Sequence, residues 1–266
     1  MPQDNPFQPP AARIVDLSDT SSRTLVAPQR RPAGHGWCWI RDGFGLFSRA
    51  PLTWVMLILL FLAVSFLLSL VPVVSLLNFP LSILFAGGVM LGCAALDRGE
   101  SLSLKHLFAG LQTGTAALLG LGGIYLGAAV LVMMVVGAAG MMFEQELGAF
   151  LLLATQPGAV VSPDQLQPAL LILSGLLLLG WLLLSPVLMA IWFAPALIVL
   201  HEKPALEAAT LSLQACLKNW LPFTVYGLIA TLLIILGTLP LGLGLLVVIP
   251  VLTASVYTGY KDIFLE

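Results

Sequence analysis

Long apolar runs alternate with short polar stretches along this chain, and each polar stretch carries its own helical period. Residues 36–54 read GWCWIRDGFGLFSRAPLTW. At 3.6-residue spacing Trp37, Ile40, Phe44 and Phe47 share one face, while Arg41, Asp42, Ser48 and Arg49 lie off it. Pro51 closes this short helix, and a charge-free apolar run long enough to cross a bilayer follows. A turn around Asn78 and Pro80 leads into a second, shorter run.

The pattern then recurs. Ser101 or Ser103 can cap a second amphipathic helix, with Leu104, Leu107, Phe108 and Leu111 on one face. Pro204 suits the start of a third, with Leu206, Ala209, Leu213, Cys216 or Leu217, and Trp220 at helical spacing. The reading is an all-α polytopic membrane helix bundle, with six transmembrane helices in three hairpins. Each hairpin is preceded by a cytoplasmic interfacial amphipathic helix. The spans are expected at about 52–72, 79–96, 113–142, 169–200, 221–239 and 241–260. The run 169–200 is longer than a bilayer core requires and is taken as one kinked helix. Residues 149–154 are apolar but too short to cross, and are expected to dip into the interface or pack on the bundle.

Composition agrees. The 266 residues are 59% hydrophobic and only 9% charged, with mean hydropathy +1.02, whereas a soluble domain carries roughly 25% charged residues. Residues 1–33 are polar and proline-rich and read as a disordered cytoplasmic tail, leaving 34–266 as the transmembrane domain. With six spans, all eleven Lys and Arg residues fall on the side of the termini. That bias places both termini in the cytoplasm. Glycine pairs at 88/92, 110/114 and 123/127 have the spacing that lets helices approach closely.

Chemistry is sparse. The expected spans hold no Asp, Glu, Lys, Arg or His, which argues against ion-coupled transport. His201 and Glu202 lack a second histidine at ligand spacing, and no phosphate-cradling loop or nucleophile motif is present. No catalytic, cofactor or metal residues are assigned, and no nucleic-acid partner. Trp37, Trp39, Arg41 and Arg49 are candidate contacts to a lipid headgroup. Pro186 and Pro195 are candidate sites for a helix break.

Residues 36–54, the segment FAPALIVLHEKPALEAATLSLQACLKNWLPF and the ending VYTGYKDIF resemble an uncharacterised family of bacterial multi-pass inner-membrane proteins. The likeness runs from about Gly36 to Phe264 and carries a Gly-Trp-x-Trp opening. It implies the fold and no activity. A looser similarity is to membrane domains that accompany glycerophosphodiesterases, whose soluble catalytic domain has no counterpart here. The function expected is a non-enzymatic scaffold or accessory protein that binds lipid, such as an anionic phospholipid, or another membrane protein. The alternative is a transporter or channel for a small or lipidic solute.

Overall fold

The structure, a computed structural model, describes residues 24–75, 77–155 and 162–266. It is all-helical, apart from a single β-bridge between Leu25 and Leu265. In order, the α-helices are α1 (His35–Arg49), α2 (Pro51–Ser69), α3 (Pro72–Ser75) and α4 (Asn78–Asp97). A 3-10 helix (Leu104–Leu111) leads to α5 (Thr115–Met141), α6 (Glu144–Thr155), α7 (Pro163–Trp192) and α8 (Ala194–His201). Last come α9 (Ala205–Lys218), α10 (Trp220–Thr238) and α11 (Leu245–Phe264).

Among the described residues five stretches are long and apolar enough to cross a membrane: α2, α4, α5, the α7–α8 pair over Leu166–His201, and α10. The 20-residue α11 falls outside this set, since its last third carries Tyr257, Thr258, Tyr260, Lys261 and Asp262. The short stretch expected to dip into the interface belongs to the 12-residue α6, which packs along α7.

Three expectations are corrected. The second amphipathic segment is a 3-10 helix, because it must lie flush on α4. A Cβ on Gly88 would stand 2.2 Å from the His106 carbonyl oxygen, and one on Gly110 would stand 2.0 Å from that of Leu84. The 88/92 glycine pair therefore receives the 3-10 helix. No neighbour comes within 4 Å of a Cβ built at Gly123 or Gly127.

The long run 169–200 begins earlier and is broken. Pro186 lies within α7 without ending it. The break falls at Phe193, and Pro195 opens α8. Pro195 cannot donate the next i to i−4 bond, and Ser212 of α9 satisfies the break: its buried hydroxyl accepts from the Phe193 N–H (2.9 Å) and donates to the Met189 carbonyl (2.7 Å). The hydroxyl takes the place of the i to i−4 bond those groups would share in a continuous helix. Cys216 Sγ also reaches the Met189 carbonyl, at 3.5 Å.

Part of the expected disordered tail is ordered. Residues 24–33 are docked, with the Val26 N–H bonded to Phe264 O (2.8 Å) and the Gln29 N–H to Ile263 O (3.0 Å). Residues 1–23 lie outside the described residues.

Candidate functional site

The polar residues gather where α1, α4 and α11 meet. Helix α1 is laid across α10 and α11 by two glycines one heptad apart. A Cβ on Gly36 would stand 2.2 Å from Pro222 O, and one on Gly43 would stand 2.8 Å from Ser255 N. That crossing buries Trp39, Ile40, Leu46 and Phe47. It leaves Trp37 and Phe44 about half exposed, at 51% and 53%. The apolar face expected for this helix is thus rotated, because the glycines choose the protein-facing side.

Asp262 is the hub. Its Oδ2 accepts from Trp39 Nε1 and stands against His35 Nδ1, each at 2.8 Å, and its Oδ1 lies 3.3 Å from Arg31 Nε. Arg31 Nε also donates to the Asp262 carbonyl at 2.8 Å. The docked segment is held by Asn219, fully buried between α9 and α10. Its Oδ1 accepts from the Arg31 N–H at 2.7 Å, and its Nδ2 donates to Gln29 O at 2.9 Å. Lys218 Nζ adds a bond to Pro28 O at 2.6 Å.

Beside this hub a cleft of about 450 Å³ opens between α1 and α11. Asp42, Arg49, Asp97, Lys261 and Asp262 line it. Its carboxylates are matched: Asp42 to Arg41, Asp97 to Lys261 at 2.5 Å, and Asp262 to Arg31. Arg49 differs. Its Nη1 donates to the Leu96 carbonyl at 2.8 Å, near the C-terminus of α4, and among the described residues it forms no ion pair. Arg49 is an exposed residue two positions before the membrane-length α2 begins, and its remaining N–H groups can donate to an anion.

Of the four candidate headgroup residues, Trp37 is exposed, Arg41 is exposed but paired, and Arg49 lines the cleft. Trp39, 3% exposed, is turned inward to Asp262. The two break candidates lie apart from this cleft, on α7 and α8. Sequence reasoning missed Asp262, Asn219 and Ser212. The only signal for Asp262 was a carboxylate next to Lys261 near the end of an apolar run. His201 Nε2 is hydrogen-bonded to Tyr260 OH. Among the described residues no group of three or more His, Cys, Asp or Glu could hold a metal ion.

The chain is 33% identical over 231 residues to a probable inner membrane protein of Burkholderia thailandensis. The match covers 84% of this chain and 80% of that protein. The chain belongs to that protein's family. It is thus a multi-pass inner-membrane protein, as the Gly-Trp-x-Trp opening implied. No family model matches it. No solved structure matches it.

Proposed function

We propose that this family member is a six-span, non-enzymatic scaffold with both termini in the cytoplasm, and that it holds an anionic phospholipid headgroup at Arg49. In this reading α11 is the sixth span, shielded from lipid along most of its length by α1 and α10. The charge pattern supports the orientation, since the far-side segments carry Glu144, Glu146 and Asp164 and no Lys or Arg.

The observation that carries the function is the cleft's charge arrangement. Each lining carboxylate has its own cation, and among the described residues Arg49, bonded to the Leu96 carbonyl, is left without a carboxylate. A juxtamembrane cation near an anionic surface contributes about 1 kcal/mol, close to fivefold in lipid retention. The packing of the α7–α8 break speaks against a transport site there. Phe193, Ala194, Leu197 and Ser212 are all at most 1% exposed, and the freed backbone groups are taken by Ser212.

The test is native mass spectrometry with added phosphatidylglycerol. Arg49→Gln is expected to retain it about fivefold less well, while Arg41→Gln, whose charge is already matched by Asp42, changes little. Equal losses in the two variants would sink the assignment to Arg49. A stoichiometric protein co-purifying without bound lipid would replace it with a partner-binding scaffold. A C-terminal green fluorescent protein fusion should fluoresce if the terminus is cytoplasmic.

A further inference from the structure

A second cavity, of about 260 Å³, lies within the membrane-length layer between α2, α4 and α11. Phe61, Phe85 and Ala86 are among the side chains lining it. Its polar atoms are few. Ser82 and Thr253 line it, but their hydroxyls donate to carbonyls of their own helices, Phe79 O at 2.6 Å and Ile249 O at 2.8 Å. The remaining polar group is Trp54. Its side chain is 0% exposed, and its Nε1 is a buried donor with no partner. A buried indole N–H ordinarily finds an acceptor, and leaving one unpaired carries a desolvation cost.

The occupant that fits must be apolar along most of its length, uncharged where it touches the protein, and able to accept one hydrogen bond. Depth narrows it further. Trp54 bonds back to Ala50 at 3.0 Å, so it sits one turn into α2, just inside the boundary that Arg49 marks. That is the level at which a glycerolipid carries its ester carbonyls, and below it only hydrocarbon follows. We infer that this cavity binds the acyl chain of a diacyl glycerolipid, with the ester carbonyl accepting from Trp54 Nε1. The inference does not depend on the headgroup reading at Arg49.

The experiment compares two synthetic phosphatidylethanolamines with the same chains, one joined by esters and one by ethers, which lack the carbonyl. Purified full-length protein is stripped of loose lipid and titrated with an equimolar mixture, and the retained species are counted by native mass spectrometry. The wild type is expected to favour the diester about fivefold, the scale of one net hydrogen bond. Trp54→Phe keeps the ring and loses the donor, so the ratio should fall to one. Ala86→Phe fills the cavity and should remove tight retention of both lipids. Arg49→Gln should leave the ratio unchanged. Equal retention of the two lipids by the wild type would overturn the inference, as would a preference that survives Trp54→Phe. Displacement of the diester by a free fatty acid or a quinone would overturn it too. The wild-type ratio needs no variant, so a Trp54→Phe protein that fails to fold leaves the test standing.

Discussion

Replacing Ser212 with alanine removes one hydroxyl from a site that is 0% exposed and bridges two backbone groups of another helix. The Phe193 N–H, 2.9 Å from that hydroxyl, loses its acceptor. A buried donor left unpaired costs about 1–3 kcal/mol. The Met189 carbonyl loses its 2.7 Å donor but keeps the weaker Cys216 thiol at 3.5 Å, so its share is the smaller one. The sum is about 2–3 kcal/mol, reduced if Phe193 swings back to bond Met189 directly and straightens the helix. Reversible unfolding in mixed micelles, followed by tryptophan fluorescence with Trp192 beside the break, reads the difference. The control is Thr210→Ala on the exposed side of α9, where the hydroxyl bonds only its own helix at Glu207 O. It should stay within about 0.5 kcal/mol of the parent. If Ser212→Ala matched that control with unchanged Trp192 emission, the hydroxyl would not be what holds the break.

Three further perturbations probe other parts of the bundle. Gly36→Ala puts a methyl 2.2 Å from the Pro222 carbonyl and must lift α1 off α10, a cost of about 1–3 kcal/mol. Gly123→Ala meets nothing within 4 Å and should stabilise slightly by helix propensity; thermal melts of the pair would refute the close-packing account if the two moved alike. Asn219→Ala unpins the Gln29 carbonyl and the Arg31 N–H, so limited proteolysis should cut between residues 24 and 34 many times faster; an unchanged rate would mean other contacts hold the segment. Burial pushes the Cys216 thiol up to about 12, so at pH 8 roughly one in ten thousand is thiolate. Maleimide should therefore label half-buried Cys38 and spare Cys216, and comparable labelling of the two would contradict the packing of α9.

The apolar runs were legible because length and lack of charge are properties of a contiguous stretch. Helices α2, α4, α5 and α10 appear close to where the runs predicted them. The helix faces were less legible. In α9 the large residues Leu206 and Leu217 are more than half exposed, as is Trp220 at the start of α10, while Ala208, Ala209, Ser212 and Ala215 are buried. A periodicity argument sends the largest apolar side chains to the protein interior. Beside a bilayer those side chains are equally satisfied by lipid, and the interior takes the small residues that allow close approach. The same inversion rotated α1 away from Phe44. The break falls two residues before Pro195, one of the two prolines that marked it. Its partner was not legible, because the hydroxyl that takes the freed backbone groups at Phe193 comes from 19 residues downstream. The Asp262 hub was hidden altogether, its partners lying 223 to 231 residues away in sequence.

Those long separations also constrain how the site can be made. Helix α1 is pinned by Pro222 and Tyr226 at Gly36, by Ser255 at Gly43, and by Asp262 at Trp39. Every one of these contacts belongs to α10 or α11. The docked segment ahead of α1 is likewise held by Lys218, Asn219 and the carbonyls of Ile263 and Phe264. Helix α1 therefore cannot reach its place until α11 exists. Until then Trp37, Trp39, Ile40 and Phe47 have no protein to cover them, and the headgroup layer is the environment that suits such a helix. Arg49 and the cleft beside it are completed in the same late step, because Lys261, Asp262 and Thr258 supply its far wall. A chain lacking α11 would keep the apolar cavity's α2 and α4 walls but lose the charged cleft outright. The two candidate lipid sites thus respond differently to the same truncation.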